Sequence, residues 1–264
     1  MKITAQQIKN LRDQTGVSVI QCKNALEKAE GDTEKALEIL KKLSGDIAAK
    51  KSERETKDGF IVAKKSGSPT NKGIILSLNC ETDFVSKNEE FRAVAEKLGN
   101  IALSEGKDRA VASAKALINP LVQKIGENIK LGQILEIEGE TLGVYNHNGK
   151  RAVILALSGV SADEELARDL AMQTAAMKPE YISLSEIPEA DKKKMEELFA
   201  PDVSKLDKPE EMKKKVLAGK VETFLKERTL LEQNFIKDAD LKVKDLLSRA
   251  GKEVKVEKFI QLSL

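Results

Sequence analysis

Few residues here are suited to covalent or metal chemistry: one histidine, His147, and two cysteines, Cys22 and Cys80, among 264 residues. A structural zinc site would need nearly all of these soft ligands to converge, and no CxxC or HxxxH pair seeds one. The stretch GVYNHNGK, Gly143 to Lys150, has the outline of a phosphate-binding loop, but its glycines stand one residue too far apart and Arg151 replaces the magnesium-binding Ser or Thr. The same residues fit a tight hairpin, with Asn148-Gly149 supplying the positive backbone angles and His147 on the turn surface. No GxSxG elbow, kinase signature or glycine-rich dinucleotide loop occurs. The inventory favours a binding protein over an enzyme. No catalytic residue, metal ligand or cofactor site is assigned, and direct nucleotide binding is not expected.

The most informative stretch is NCETDFVSKNEEF, Asn79 to Phe91, which follows an apolar run and precedes a helical pattern. With no Trp, two Tyr and seven Phe in the chain, each aromatic counts. Two uses of Phe84 stand. It packs under its own helix as a staple against Phe91, with Asp83 or Ser86 capping and Ser86 with Glu89 forming a capping box; or it is kept outside for a partner.

Lys plus Arg number 45 and Asp plus Glu 43, a formal charge of +2, which argues against a dedicated nucleic-acid binder needing a basic excess. The opening MKITAQQIKNLRDQTG lacks a secretory apolar core, and no uncharged apolar run approaches a membrane span. The expected location is the cytoplasm, with no membrane partner and both cysteines reduced and buried. Aromatics at 3% and charged residues at 33% suit small helix-rich modules cemented by Leu, Ile, Val and Ala.

Three short helices are expected first. Thr4 with Gln7 makes a capping box, and Thr15-Gly16 closes the first helix. Val19, Cys22, Ala25, Leu26 and Ala29 mark the apolar face of the second, and the third runs from Asp32 or Thr33 to a stop at Gly45. Ile47 to Gly59 reads as a charged linker, helical at most at its start. FIVAKK, a turn at Ser66-Gly67-Ser68-Pro69 and GIILSLNC make a hairpin. A helix through Phe91, Val94, Ala95, Leu98 and Ile101 follows, then a helical tract from Ala110 to Ile118 that leads through Asn119-Pro120 into LVQKIGENI. Ile134 to Gly143 and Arg151 to Leu157 are expected strands, and DEELARDLAMQTAAMK is a helix ended by Pro179. Ile187 to Phe224 is a charged two-helix arm interrupted at Pro201 and Pro209, Leu241 to Ala250 a helix, and VKVEKFIQL a last strand.

A weak internal repeat aligns Leu76–Leu78 with Leu155–Leu157 and Glu89–Phe91 with Glu164–Leu166. The second copy joins strand to helix through Ser158–Ala162, the first through the longer Asn79–Lys87. The extra residues are those around TDFV.

With LRDQTGVSVIQCKNAL, NCETDFVSK, KIGENI, the YNHNGK hairpin and ERTLLEQNFIKD in this order, the chain resembles the bacterial translation elongation factor Ts family over nearly its full length. Gln21, Ser77 and Gln173 depart from residues common in that family. The resemblance implies an α+β fold: an N-terminal three-helix ubiquitin-associated-like domain (residues 1–45), a linker (46–57), two related α+β subdomains with antiparallel sheets (58–140, then 141–187 and 225–264), and an inserted coiled-coil-like helical hairpin (188–224).

It also implies a guanine-nucleotide exchange factor that binds elongation factor Tu, GDP-bound and nucleotide-free, and promotes GDP release so that GTP rebinds. The wedge into the partner's magnesium site is then Thr82, Asp83, Phe84 and Val85, with Asp83 its acidic and Phe84 its apolar element. Leu11, Val17, Ile20, Met172 and Gln173 are either further partner contacts or core residues. The rival class is a ubiquitin-associated-like adaptor or an RNA-associated scaffold.

Overall fold

A computed structural model of the chain describes residues 3–67, 71–159, 163–251 and 253–264. Its first unit packs α1 (Ala5–Thr15), α2 (Val19–Lys28) and α3 (Thr33–Lys51) around Leu11, Val17, Cys22, Leu26 and Leu40. Local chemistry sets the ends. Thr4 and Gln7 form the reciprocal capping box, Gly16 closes α1 at φ 68°, and the Asp32 carboxylate accepts from Glu34 N and Lys35 N.

The expected stop at Gly45 is overturned: α3 continues through it to Lys51. A glycine inside a helix costs only about 1 kcal/mol. The continuation packs Ile47 and Ala48 against the neighbouring core, and Lys51 Nζ donates to Gly126 O at 2.6 Å. One helix thus belongs to two cores.

The rest is built on two antiparallel sheets. β1 (Asp58–Lys65), β2 (Lys72–Cys80) and β3 (Ile129–Glu138) form one, in that order. β4 (Thr141–His147), β5 (Arg151–Ser158) and β8 (Lys255–Ser263) form the other, again in that order. The first sheet carries α4 (Asp83–Ser86), α5 (Glu89–Glu105) and α6 (Lys107–Ile125); the second carries α7 (Glu164–Met177) and α10 (Val243–Ala250).

Alternation explains the layering. Ile74, Leu76 and Leu78 of β2 face α5 and α6, while Ile75 joins Ile61 against Ile154 and Ala156 of the second sheet. Val153, Leu155 and Leu157 of β5 turn the other way, toward α7. Both central strands are therefore buried on two faces, which is why GIILSLNC and AVILALS read as nearly continuous apolar runs.

Further expectations are corrected. Ile134 to Gly143 is not one strand: β3 ends at Glu138 in the first sheet and β4 starts at Thr141 in the second. Pro201 does not interrupt the arm but lies within the final turns of α8 (Glu189–Ser204), where the Glu197 carbonyl it deprives of a donor belongs to an exposed residue. Pro209 does mark a boundary, preceding α9 (Glu210–Glu227). The arm is stapled by Phe199 and Phe224, edge to face at 5.4 Å between centroids. Leu241 falls in a short hairpin, β6 (Asn234–Phe235) with β7 (Asp238–Lys242), ahead of α10. Ser68-Pro69 of the expected turn and residues 160–162 of the second connector lie outside the described residues. Among the described residues no helix is long and apolar enough to cross a membrane.

Candidate functional site

β2 ends at Cys80, and the chain then makes the single helical turn α4 before Asn88 opens α5. On a turn of helix, adjacent residues point about 100° apart, and here that separation divides labour. Val85 is buried in the core beneath, whereas Phe84 is 82% exposed. Leaving a phenylalanine in water forgoes roughly 1.5–3 kcal/mol of burial. The staple against Phe91 is overturned, since Phe91 is fully buried and Phe84 points out. The Ser86–Glu89 capping box also fails: Asn88 caps α5, its side chain accepting from Glu90 N at 2.9 Å and Phe91 N at 3.1 Å.

The turn is tied at both ends. Glu127 accepts from Thr82 N at 3.1 Å and from Thr82 Oγ1 at 2.7 Å. Glu81 accepts from Asn128 N at 2.6 Å, and Arg92 Nε donates to Ser86 O at 3.0 Å. Ser86 Oγ donates to Asp83 O at 3.1 Å and accepts from Lys150 Nζ at 3.2 Å. Burial, with the Asp58 and Glu127 carboxylates nearby, pushes the Cys80 thiol up to about 12. It therefore stays protonated, and Sγ donates to Thr82 O at 3.2 Å. The Asp83 carboxyl is held below its ordinary value by its hydrogen bond and ion pair with Lys87 at 2.6 Å, so the exposed turn presents a carboxylate beside an aromatic ring.

The other expected contacts divide by burial. Ile20 on α2 is 71% exposed, but Leu11 and Val17 fill the first unit's own core and have almost no surface to offer. Gln173 is likewise fully buried: its amide donates to Gln233 Oε1 and Asn234 O, both at 3.1 Å, and accepts from Ile236 N at 2.8 Å. Met172 beside it is half-buried and lines a cleft with Tyr145, His147, Arg151 and Leu264. His147 is exposed on the expected Asn148-Gly149 turn, whose φ values are 54° and 69°.

The first unit meets the end of α6, which also contacts the start of α5. Gln123 Nε2 donates to Gln21 Oε1 at 3.3 Å; the Lys124 stem lies against Gly16 while its ammonium pairs with Glu90. Sequence reasoning assigns no role to Glu127, Asn128, Arg92 or Lys150. The first two lie in KIGENI and Lys150 ends YNHNGK, both motifs that carry the resemblance, and that was the available signal.

The family model for elongation factor Ts matches residues 81–264, which include this turn and more than half of the chain. The chain belongs to the elongation factor Ts family. Curated members similar to it include those of Aquifex aeolicus, 36% identical across all of this chain and 98% of that protein, and Psychromonas ingrahamii, 40% identical across 96% and 88%. The elongation factor Ts of Arthrospira platensis is 38% identical across 89% of this chain and 99% of its own. Family membership places Phe84 in a translation factor rather than in an isolated binding module.

Proposed function

We propose that this protein is a guanine-nucleotide exchange factor for elongation factor Tu in translation elongation, and that the α4 turn is its working element. One observation carries the proposal: a phenylalanine that folding would favour burying is instead displayed on a turn braced from three directions. Phe84 enters the partner beside its magnesium and switch elements, Asp83 supplies the acidic and hydrogen-bonding group, and Thr82 and Val85 hold both in place.

A magnesium bridging phosphates needs near-ideal octahedral geometry, so small displacements of its neighbours remove much of its hold on the diphosphate. Exchange makes and breaks no covalent bond. The protein binds the nucleotide-free partner more tightly than the GDP-bound one, and that difference weakens nucleotide by the same factor. Ile20 and Met172 are further contact points, and the first unit is read as a ubiquitin-associated-like domain presenting Ile20. Cytoplasmic location follows from the role.

The experiment is GDP release from elongation factor Tu loaded with fluorescent GDP. A second class, an adaptor working through the first unit, is favoured by the exposure of Val19 and Ile20 on α2. Ile20→Ser discriminates: an adaptor loses partner capture, whereas an exchange factor retains binding through the α4 turn.

A further inference from the structure

Lys150 follows the Asn148-Gly149 turn of the second sheet, yet its side chain works in the first. Its ammonium donates to Asp58 Oδ1, to Gly59 O at 2.9 Å and to Ser86 Oγ at 3.2 Å. Those three acceptors occupy all three of its donors. Asp58 and Gly59 open β1, and Ser86 closes the turn that displays Phe84.

The hairpin that carries Lys150 is itself seated with little freedom. Ile61 N donates to Gly149 O at 2.7 Å, and Asn146 Nδ2 donates to Ile61 O at 2.9 Å. Gly149 N closes the tip on Asn146 Oδ1 at 2.9 Å. Gly149 lies so close to the Phe60 ring that a Cβ there would sit 2.2 Å from it, and the Arg92 guanidinium covers Phe60 at 5.0 Å. Arg92 in turn holds Ser86 O. The Ser86 hydroxyl that accepts from Lys150 donates to Asp83 O, the carbonyl of the peptide joining Asp83 to Phe84. Two hydrogen bonds therefore separate Lys150 from that peptide.

We propose that Lys150 is a positioning residue for exchange: from the second sheet it fixes the Asp83–Phe84 peptide through Ser86, with Asp58 as its counter-charge. The inference rests on the exchange-factor reading and assigns the YNHNGK hairpin a task beyond making a turn. Lys150 makes no contact with nucleotide in this account. It sets the angle and rigidity with which the other residues are presented, and a charge-assisted bond can do this because it is directional and strong for its size.

The test uses the full chain with Lys150→Met, which keeps the aliphatic stem, Lys150→Arg, which restores a cationic donor, and Ser86→Ala, which removes only the relay hydroxyl. Two quantities are read: GDP release from elongation factor Tu carrying fluorescent GDP, and amide hydrogen exchange at Ser86, Lys87 and Asn88, whose N–H groups bond within the turn. Lys150→Met and Ser86→Ala are expected to lower the maximal release rate by about tenfold, with the half-saturating concentration shifted by no more than about twofold. Amides 86–88 exchange faster in both variants, and Lys150→Arg recovers most of the rate. Wild-type maximal rates in Ser86→Ala overturn the proposal, as do unchanged amides 86–88 in that variant, whatever the folding of Lys150→Met. Absence of GDP release by the wild-type protein defeats the exchange-factor reading instead, and the amide measurement then still decides whether Lys150 and Ser86 brace the turn.

Discussion

The carboxylate of Glu127 accepts both the backbone N–H and the hydroxyl of Thr82, at 3.1 and 2.7 Å, so the end of α6 holds the entrance to the turn that carries Phe84. Glu127→Ala removes both acceptors at once. The expected cost is about 1 kcal/mol of stability, since the site is open to water, together with slower nucleotide exchange. Urea denaturation alongside GDP release checks both. Wild-type exchange in this variant would show that the tether is dispensable.

Phe84→Ala should leave the fold untouched, because an exposed side chain contributes little to stability and substitutions there usually fall within about 0.5 kcal/mol. Exchange should suffer heavily. Truncating an aromatic anchor at an interface commonly costs about 2–4 kcal/mol, or roughly thirty- to thousand-fold in affinity. Matched thermal melts and titrations against nucleotide-free elongation factor Tu separate the two effects.

Gln173→Ala is predicted to do the opposite. Its fully buried amide satisfies Gln233, Asn234 O and Ile236 N, and removing it leaves those groups without that partner at a cost of about 1–3 kcal/mol. The midpoint of urea unfolding should drop clearly, whereas Met172→Ala on the neighbouring half-buried position should move it less. A stable Gln173→Ala with impaired partner binding would return Gln173 to the interface.

Asp58 gives the protein an acid sensitivity. Burial disfavours its charge, but the Lys150 ammonium and the Gly59 N–H outweigh that and hold the carboxyl below its ordinary 3.8. The folded chain therefore binds this proton less readily than the unfolded one. The stabilisation is present above pH 3.8 and is lost as pH falls through the lower folded value. Stability measured across that range should fall less steeply in Asp58→Asn than in wild type. Equal slopes would remove Asp58 from the acid transition.

Features fixed by local chemistry were legible in the sequence: the Thr4–Gln7 box, the Asn148-Gly149 turn and the end of α7 before Pro179 each depend on residues within a few positions. Features fixed by distant packing were not. Helix α3 passes Gly45 because Ile47 and Ala48 find a core made by residues far along the chain. In ILEIEGETLGV the apolar positions change phase across Gly139, from Leu135 and Ile137 to Leu142 and Val144, but nothing local says that β3 and β4 belong to different sheets. At the candidate site, TDFV stood out as the extra length of the first connector, and the resemblance to a family implied a task for Phe84. That Val85 points inward and that Lys150 reaches Asp58 from 92 residues away are three-dimensional facts with no local signature, whereas the Asn88 cap directly before Glu89 is a local signal that the Ser86–Glu89 spacing obscured.

The most direct measurement is GDP release from elongation factor Tu charged with fluorescent GDP, followed as this protein is added to saturation. A large acceleration of release by the wild-type chain, mostly lost in folded Phe84→Ala, is the predicted result. An unchanged release rate at saturating wild-type protein, or full acceleration by Phe84→Ala, contradicts the account.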